Sequence, residues 1–309
     1  MSAAELAIAR GQTGEFEMTE RDFRLIAEVV HETAGITLPD QKMPLVYARL
    51  ARRLRALGLA TFGEYCARLK GPSGKTERLD LVAALTTNVT AFFREEHHFR
   101  DLRETVLPAL IARAEAGGRV RLWSAGCSSG QEPYSLALTL LAAFPDAAQH
   151  DIRILATDID PNVLATARAG RYPEEAIAPV APDQRRRHFA AAGADPTGTP
   201  LWEVSPAARA LITFRELNFV EPWPVGGPFD VILCRNVVIY FDDALQQVLW
   251  TRFAAVMPEG ATLYIGHSER VKAPADGFFW NDGATIYRRG AAPAPRDGTA
   301  PARPVRGAC

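Results

Sequence analysis

The chain has 309 residues and a mass of 33.7 kDa, a length typical of about two domains. Hydrophobic residues make up 48% and charged residues 23%, with 23 glycines and 22 prolines, which excludes a collagen-like or wholly disordered chain. The longest nearly apolar stretch, Leu136–Phe144, is far shorter than the roughly 20 residues of a membrane helix. The four cysteines show no CxxC spacing, and the N-terminus has no secretory signal, so we expect a reduced, cytoplasmic protein.

The net charge of −1 hides a local excess of positive charge. Residues 41–70 contain seven lysines and arginines against a single acid, Glu64. A basic patch of this kind indicates an acidic partner, such as nucleic acid, an anionic lipid or an acidic protein surface. A solvated helix face explains the same charges, so the charge pattern alone leaves these possibilities open.

Residues 19–85 have the pattern of a small all-α domain, preceded by residues 1–18, which we expect to be flexible. Thr19 followed by Asp22 and an apolar series at helical spacing predicts a capped amphipathic helix. A second helical face is predicted by Val46, Leu50, Leu54 and Leu57. No strand-like alternation interrupts the region.

The pattern changes after about residue 119, where short apolar runs alternate with helical stretches. The apolar runs predict strands at Val120–Ser124, Ile152–Thr157, Ile212–Glu216, Phe229–Leu233 and Ala261–Ile265. Helices are predicted between them at Leu136–Ala143, Pro161–Ala169 and Ala244–Val256. This alternation is typical of a parallel α/β sheet with right-handed crossovers, and Ala284–Arg288 is predicted to add an antiparallel edge strand.

Two segments fall outside this alternation. Residues 171–211 are too long for an ordinary connection, so they predict an inserted subdomain or a functional loop. Residues 290–309 hold four prolines and show no apolar periodicity, so we expect a disordered C-terminal tail.

A glycine-bearing loop, Ala125–Pro133, follows the first predicted strand and precedes a helix. Glycine there allows a tight turn and a close approach of the backbone to a ligand. A lone GxxxG also occurs in ordinary loops that bind no ligand. After the second strand, Asp160 before Pro161 is explained as a helix N-cap. Asp158 has no such structural explanation, and a carboxylate at this strand end suits the two hydroxyls of a ribose. The alternative interpretation is that Asp158 is a solvated loop residue.

The kind of nucleotide follows from the sequence of the glycine loop. The loop has neither GxGxxG nor a following Lys-Ser/Thr pair, which phosphate-bearing ligands favour. A nucleoside without phosphates, such as S-adenosylmethionine (SAM), fits better. The later segment MPEGATLYIG, a turn with Pro and Gly before an apolar strand, is also typical of Rossmann-like methyltransferases.

Five longer strings together resemble one family. LTTNVTAFFREEHHF (85–99), LWSAGCSSGQEPYSLAL (122–138), ATDID (156–160), FDVILCRNVVIYFD (229–242) and IGHSE (265–269) closely resemble the CheR-type chemotaxis protein glutamate O-methyltransferases. The resemblance covers about residues 19–289 in the same order and spacing. It implies a Rossmann-like class I SAM-dependent methyltransferase domain (101–289) with a small inserted β-subdomain (about 171–211). A linker that covers the cofactor (86–100) would join it to the all-α domain (19–85) that precedes it.

The resemblance also implies the residues of the site. The cofactor-binding set is Asn88, Thr90, Arg94, Gly126, Glu132, Asp158, Asn218, Phe219, Arg235 and Asn236. Within it Asp158 would hold the ribose, and Asn218 with Phe219 would flank the adenine. Arg94 and Tyr240 match the catalytic positions, with a core aromatic residue as the alternative for Tyr240.

The reaction implied by the resemblance transfers a methyl group from SAM to glutamate carboxylates of chemoreceptors, which would serve sensory adaptation. The products would be glutamate γ-methyl esters and S-adenosylhomocysteine. A glutamate is ionised at neutral pH, so no general base is required, and the sequence shows no convincing Ser-His or Cys-His arrangement. We expect Arg94 to steer the acceptor carboxylate and Tyr240 to position it or the methyl group.

No metal site is predicted. His97 and His98 are adjacent, and adjacent helical positions point about 100° apart, so the two rings do not easily chelate one ion. His267 and Glu269 are expected to shape a loop, and Cys127 and Cys234 to act as small packing residues.

The resemblance also implies a partner for the basic helical domain. The partner would be the helical cytoplasmic domains of membrane-embedded chemoreceptors, whose methylated segments are rich in glutamate. Arg49, Arg52 and Arg53 are expected to help this docking. We expect neither a nucleic-acid partner nor membrane insertion, and a monomer. Whether residues 171–211 bind a receptor C-terminal peptide, as in some family members, stays open.

Two functions of other classes remain as alternatives. A SAM-dependent methyltransferase acting on RNA or a small molecule would also explain the basic patch. A non-catalytic SAM-binding scaffold would keep the same fold. The linker motif argues against the first alternative, and the intact Arg94 and Tyr240 argue against the second.

Overall fold

The computed structural model of the chain describes residues 15–72 and 74–291. Its helices are α1 (Glu20–Ala34), α2 (Met43–Leu57), α3 (Phe62–Lys70), α4 (Gly74–Leu85), α5 (Glu96–Asp101), α6 (Leu107–Glu115), α7 (Gln131–Ala143), α8 (Pro161–Ala169), α9 (Glu174–Ile177), α10 (Pro182–His188), α11 (Pro206–Ala210) and α12 (Asp243–Ala255). Its strands are β1 (Val120–Ala125), β2 (Ile152–Asp158), β3 (Arg171–Pro173), β4 (Phe189–Ala194), β5 (Pro200–Val204), β6 (Ile212–Glu216), β7 (Val231–Cys234), β8 (Thr262–Ile265), β9 (Phe279–Gly283) and β10 (Ile286–Arg289).

The first four helices pack into the predicted all-α domain. Thr19 Oγ1 accepts a hydrogen bond from the N–H of Asp22 at 3.1 Å, and the Asp22 carboxylate accepts one from the N–H of Thr19 at 3.0 Å, so the predicted cap of α1 is present. Three of the four predicted apolar positions of α2 are fully buried, namely Val46, Leu50 and Leu54. Leu57 is partly buried at the edge of the same core.

The all-α domain begins earlier than the sequence predicted. Phe16 and Met18 are buried in its core, and the N–H of Phe62 donates to the Glu17 carbonyl at 3.2 Å. The expectation of a flexible terminus is therefore wrong for residues 16–18, because these two apolar side chains pack into the helical core. The earlier residues of that terminus, 1–14, and the predicted tail from residue 292 onward lie outside the described residues.

The second part of the chain is built on a seven-stranded sheet with the order β6-β2-β1-β7-β8-β10-β9. The first five strands in this order are parallel, and each corresponds to a predicted strand. Strands β7 and β8 are buried at every position, which explains why each is a continuous apolar run in the sequence. Apolar clusters on both faces of the sheet join it to the flanking helices.

The prediction for the end of the sheet was partly wrong. The strand predicted at Ala284–Arg288 is antiparallel, but it lies between β8 and β9 and is not the edge. The edge is β9, which the sequence did not reveal because only its first residue, Phe279, is buried. Apolar residues in the sequence therefore predicted β10, and their scarcity in β9 is why that strand was not predicted.

The inserted segment 171–211 forms a small antiparallel sheet of the order β3-β5-β4, as predicted from the resemblance. It includes the short helices α9, α10 and α11. In the main sheet the chain proceeds outward from β1 to β2 and β6, then returns to the other side of β1 at β7. This reversal opens a crevice at the carboxyl ends of the strands, which is where open α/β sheets bind ligands.

The all-α domain is joined to this crevice by main-chain and side-chain hydrogen bonds. Ile36 and Phe241 form an isolated antiparallel bridge, and the Asn218 side-chain amide donates to the Thr33 carbonyl at 2.7 Å. Gly35 lies at the same junction with φ +72°, and a Cβ on it would lie 2.1 Å from Leu245 Cδ2. Within the described residues, no helix has the length and apolar character needed to cross a membrane.

Candidate active site

A pocket of about 930 Å³, including its open mouth, occupies the crevice at the carboxyl ends of the strands. Its walls come from the loops after four parallel strands, from the segment after α4, and from Ala34 and Ile36 of the all-α domain. It brings together all the residues predicted to bind the cofactor or to act in catalysis: Asn88, Thr90, Arg94, Gly126, Glu132, Asp158, Asn218, Phe219, Arg235, Asn236 and Tyr240.

The glycine loop after β1 lies close against the loop after β7. Gly126 has φ +88°, and its N–H donates to the Thr157 carbonyl at 2.8 Å. A Cβ at this position would lie 2.4 Å from Cγ2 of Val237, closer than real Cβ atoms approach. Glycine is therefore required here both for backbone conformation and for space, and the main chain itself forms the pocket wall.

Asp158 at the end of β2 is held by two backbone donors. Its Oδ2 accepts a hydrogen bond from the N–H of Ser128 at 2.8 Å, and its Oδ1 accepts one from the N–H of Asp160 at 3.0 Å. Burial raises the pKa of Asp158, and these two N–H groups partly oppose that rise. The carboxylate is thus fixed in orientation, and its remaining lone pairs suit the two hydroxyls of a ribose.

The segment after α4 is tied across the ends of β1 and β2. The Asn88 side-chain amide donates to Asp160 Oδ2 at 3.0 Å, and the Asn88 carbonyl accepts from Ser128 Oγ at 2.9 Å. Asp160 also accepts from the N–H of Asn162 at 2.9 Å, which confirms its predicted role as the N-cap of α8. The segment 86–94 therefore forms one wall of the pocket and is anchored to the catalytic domain by side-chain contacts.

Glu132 and Arg235 form a buried ion pair at the base of the site. One carboxylate oxygen of Glu132 accepts from Ser124 Oγ at 2.7 Å, and the other accepts from Arg235 Nη1 at 3.2 Å. Burial raises the pKa of Glu132, and the charge of Arg235 opposes the rise. Arg235 also donates to the Arg94 carbonyl and lies 3.3 Å from Oε2 of Glu95.

Arg94 and Tyr240 lie where the pocket meets solvent. In the described part of the chain, the Arg94 guanidinium donates to the Val89 carbonyl at 3.1 Å and has no carboxylate within 4.0 Å. Tyr240 ends a short 3₁₀ turn and is 36% exposed. A cationic group and a phenol therefore line the opening of the pocket.

The adenine side of the predicted site is formed at the end of β6. Phe219 is buried and packs against Trp223, Phe241 and Phe253 with ring centroids 5.9 to 6.4 Å apart. Asn218 donates to the Thr33 carbonyl, while its side-chain oxygen accepts from the N–H of Val220 at 3.2 Å. These contacts hold the all-α domain against the pocket and fix the aromatic wall.

The loop after β7 is shaped by one carboxylate, that of Glu269. It accepts hydrogen bonds of 2.9 to 3.1 Å from the N–H groups of Asn236, Val237 and Val238. Asn236 has φ +60°, so its backbone conformation depends on this support. The loop-shaping role predicted for Glu269 agrees with these contacts, which place Arg235 and Tyr240 at the pocket.

Comparison with known proteins identifies the family of this fold and pocket. Residues 21–86 match the all-alpha domain of CheR methyltransferases, and residues 88–286 match the CheR methyltransferase SAM binding domain. The chain belongs to the CheR methyltransferase family. Its cofactor is SAM, as the resemblance of the five sequence strings implied.

Three curated relatives agree with this membership. A probable chemotaxis protein methyltransferase of Rhizobium etli is 51% identical over 260 residues, covering 84% of this chain and 96% of the relative. The chemotaxis protein methyltransferase of Escherichia coli is 39% identical and covers 90% and 96% of the two chains. Chemotaxis protein methyltransferase 2 of Pseudomonas aeruginosa is 38% identical, with coverages of 88% and 94%. The protein is therefore a SAM-dependent methyltransferase of bacterial chemotaxis.

The three arginines predicted to dock a substrate differ in their surroundings within the CheR all-α domain. The Arg53 guanidinium pairs with Glu77, at 2.8 Å, and with Asp80. Arg49 donates to the carbonyl of Thr86 at 3.0 Å and to Thr87 Oγ1 at 2.8 Å, so it holds the start of the linker. Arg52 is exposed. The docking role stays a prediction for all three, and the structure leaves Arg52 as the one whose charge faces solvent.

Histidines and cysteines near the CheR site make structural contacts. His97 Nε2 lies 3.0 Å from the Ala284 carbonyl, and His98 Nε2 lies 2.8 Å from Thr285 Oγ1. Burial raises the pKa of the Cys127 and Cys234 thiols well above the ordinary value, so neither is a ready nucleophile. Among the described residues that line the pocket there is neither a histidine nor a cysteine.

Sequence reasoning missed two features of this CheR site. Ile36 of the all-α domain lines the pocket beside Phe241, and no local signal marks a contact across 200 intervening residues. The second feature is Glu95, which contacts Arg235 and His267. It lies in the string LTTNVTAFFREEHHF, directly after Arg94. Its place next to Arg94 was a signal that could have found it.

Proposed function

We propose that the protein methylates glutamate side chains of chemoreceptors, forming γ-methyl esters for sensory adaptation. The chemotaxis methyltransferases among its relatives support the setting of this reaction. The carboxylate acceptor is supported by one observation: Arg94 and Tyr240 line the opening of a pocket whose described lining holds no histidine or cysteine. A cation with no carboxylate within 4.0 Å among the described residues suits an acceptor that is an anion.

SAM supplies an electrophilic methyl group on a positively charged sulfur. In the proposed reaction an oxygen of the glutamate carboxylate bonds to the methyl carbon while the carbon–sulfur bond breaks. The acceptor loses its negative charge and the sulfur its positive charge, so no proton moves and the products are the ester and S-adenosylhomocysteine. Glutamate is ionised at neutral pH, which removes the need for a base.

The residues of the chain would act by orientation. Gly126, Glu132 and Asp158 would hold the cofactor, and the segment carrying Arg94 forms a wall of the same pocket. The partly exposed Arg94 guanidinium would draw in the carboxylate, and Tyr240 would position it. Orientation of two reactants supplies about 7–11 kcal/mol in well-aligned systems. Arg94 must hold the carboxylate weakly, since equal binding of ground and transition states adds no rate at saturation.

We propose that the acceptor is a helical cytoplasmic domain of a receptor, which places the enzyme in the cytoplasm, and that the enzyme acts as a monomer. Arg52, which is exposed on α2, would attract a glutamate-rich helix. Arg49 and Arg53 would contribute mainly by holding the domain and the linker, given their contacts within the chain. Such docking weakens as salt screens exposed charges.

Methyl-labelled SAM, the purified protein and a receptor cytoplasmic fragment together test this function. Label on the receptor that mild base releases as methanol is the expected result, because carboxyl methyl esters hydrolyse under these conditions. A receptor fragment with the accepting glutamates changed to aspartate controls for other sites. Base-stable label, or label transferred to RNA instead, would overturn the proposal, and SAM binding without transfer to any receptor fragment would favour a scaffold.

A further inference from the structure

The backbone around Arg94 is strained and tethered on both sides. Phe93 has φ +53° and Glu95 has φ +58°, a region that residues with a side chain rarely adopt. Such conformations persist only where the surroundings enforce them. On one side the N–H of Phe93 donates to Ser135 Oγ at 2.9 Å. On the other side the Arg94 carbonyl accepts a hydrogen bond from Arg235.

The carboxylate of Glu95 joins this segment to two loops of the catalytic domain. Its side chain is only 12% exposed. Oε1 accepts a hydrogen bond from the N–H of His267 at 3.2 Å and lies 3.0 Å from Nδ1 of the same residue. Oε2 lies 3.3 Å from Nη2 of Arg235. Glu95 does not line the pocket, so these contacts are its connection to the site.

The charges show why Glu95 matters to Arg235. The Arg235 side chain is 2% exposed and lies between the carboxylates of Glu132 and Glu95. Burial alone would raise the pKa of Glu95, but Arg235 and the His267 contacts outweigh it and leave that pKa lowered. His98 lies 3.5 Å from Oε2 of Glu95, yet burial lowers the pKa of His98 to about 3, so its ring is neutral at pH 7. Arg235 is therefore the guanidinium that faces Oε2 of Glu95, while His267 contacts Oε1.

We propose that Glu95 is a positioning residue of the methyl transfer. Its carboxylate orients Arg235, Arg235 fixes the Arg94 carbonyl, and the strained backbone then keeps the Arg94 guanidinium at the opening of the pocket. The inference rests on the proposed role of Arg94 in steering the acceptor carboxylate. It adds a residue that acts through Arg94 and Arg235.

The variant Glu95→Gln tests this role, because it keeps the size of the side chain and removes its charge. Glu96→Gln is the matched control, the same change at the next residue, which is exposed. We expect Glu95→Gln to lower kcat for receptor methylation about tenfold or more, since misplacement of a reacting group is costly. The KM for SAM should change about threefold or less, because Glu132 still holds Arg235. Equal kcat values for the two variants would overturn the inference.

A double variant separates positioning from a general loss of structure. If Glu95 acts through Arg94, then Arg94→Met combined with Glu95→Gln should be no slower than Arg94→Met alone. If the fold-reductions in kcat of the two single variants multiply in the double variant, Glu95 acts independently of Arg94. A purely structural contribution would lower Tm and the fraction of active protein, so kcat is expressed per SAM-binding site counted by calorimetric titration of each variant.

Amide hydrogen exchange of the free protein needs no substrate. Peptides covering residues 91–95 are expected to exchange faster in Glu95→Gln than in the wild-type protein or in Glu96→Gln, and unchanged exchange would contradict the inference. If the wild-type protein forms no base-labile ester, the proposed function fails while the exchange result still decides whether Glu95 holds the segment. If the ester forms and Glu95→Gln behaves as wild type, only this inference fails.

Discussion

The backbone N–H of Thr37 donates a hydrogen bond of 2.8 Å to the carbonyl oxygen of Tyr240. One residue belongs to the all-α domain and the other lies at the opening of the pocket, so the first domain supports the site directly. The neighbouring bridge between Ile36 and Phe241 strengthens the same junction. The all-α domain therefore helps to form the pocket itself.

Gly35→Ala should weaken SAM binding through this junction. The new Cβ would lie 2.1 Å from Leu245 Cδ2, so the two domains must move apart or Leu245 must repack. Gly58→Ala is the matched control, since Gly58 has φ +66° at the end of α2 and nothing within 4 Å of its Cβ position. Both variants should lose about 1–2 kcal/mol from backbone strain. Calorimetric titration should show a raised Kd for SAM in Gly35→Ala alone; equal Kd values would contradict the coupling.

Asp158→Asn should lower the affinity for SAM about 10- to 100-fold, the effect of losing hydrogen bonds to a charged group. Asp276→Asn, at an exposed aspartate in another part of the domain, should bind SAM as the wild-type protein does. Because burial raises the pKa of Asp158, affinity should also fall on acidification at a pH above the pKa of an exposed aspartate. Titrations at several pH values test both points, and a pH-independent Kd in this range would argue against a ribose contact by the ionised form.

Arg94→Met and Tyr240→Phe should each leave SAM binding nearly unchanged and lower receptor methylation about 100-fold or more, if both residues orient the acceptor. Arg100→Met, at an exposed arginine of α5, is the control for loss of a surface charge. Kd and kcat are measured separately on each variant. A large rise in the Kd for SAM with little change in kcat would assign Arg94 to cofactor binding alone.

The arginines of α2 should separate into a docking residue and a structural one. Arg52→Ala is expected to raise the receptor KM about threefold at low salt, less at high salt, with Tm unchanged. Arg100→Ala serves as the control for a solvent-facing arginine outside this helix. A receptor KM that is independent of salt in the wild-type protein would contradict docking by exposed charge.

Arg53→Ala should instead destabilise the all-α domain by about 2 kcal/mol or more, because it leaves the buried Glu77 with a weaker partner, Arg68 at 3.2 Å. Arg55→Ala, in the same helix, breaks an exposed pair with Glu15 and should destabilise the domain much less, because water screens exposed charges. Burial alone would raise the pKa of Glu77, but Arg53 lowers it overall. The stabilisation that Glu77 contributes is therefore fully present above the pKa of this carboxyl in the unfolded chain. It is lost as the pH falls through the pKa of the same carboxyl in the folded protein. Denaturant titrations at several acidic pH values measure the free energy of unfolding of each variant and its dependence on pH. Equal losses of this free energy in Arg53→Ala and Arg55→Ala would contradict the prediction.

Local patterns in the sequence were sufficient for most elements of the fold. Thr19 with Asp22, and Asp160 with Pro161, predicted two helix starts because a cap involves residues two or three positions apart. Strands β7 and β8 were predictable because strands covered on both faces are continuous apolar runs. The edge strand β9 was missed because a strand with little burial has no such pattern.

Motifs implied the membership of the pocket. All of them except the linker motif of residues 85–99 lie at the carboxyl end of a strand, and those ends meet at one edge of the sheet. The same reasoning could not tell which charges the chain itself uses. Arg53 was predicted to dock a partner, but in the fold it pairs with Glu77. Glu95 was not singled out in the sequence, and in the fold it lies against Arg235, which is 140 positions away. The sequence alone determined the elements, the family and the candidate site, because caps, strand periodicity and motifs are local. Only the tertiary structure decided which of the three arginines faces solvent and which carboxylate lies against Arg235 beside Arg94, because those pairings join residues that are distant along the chain.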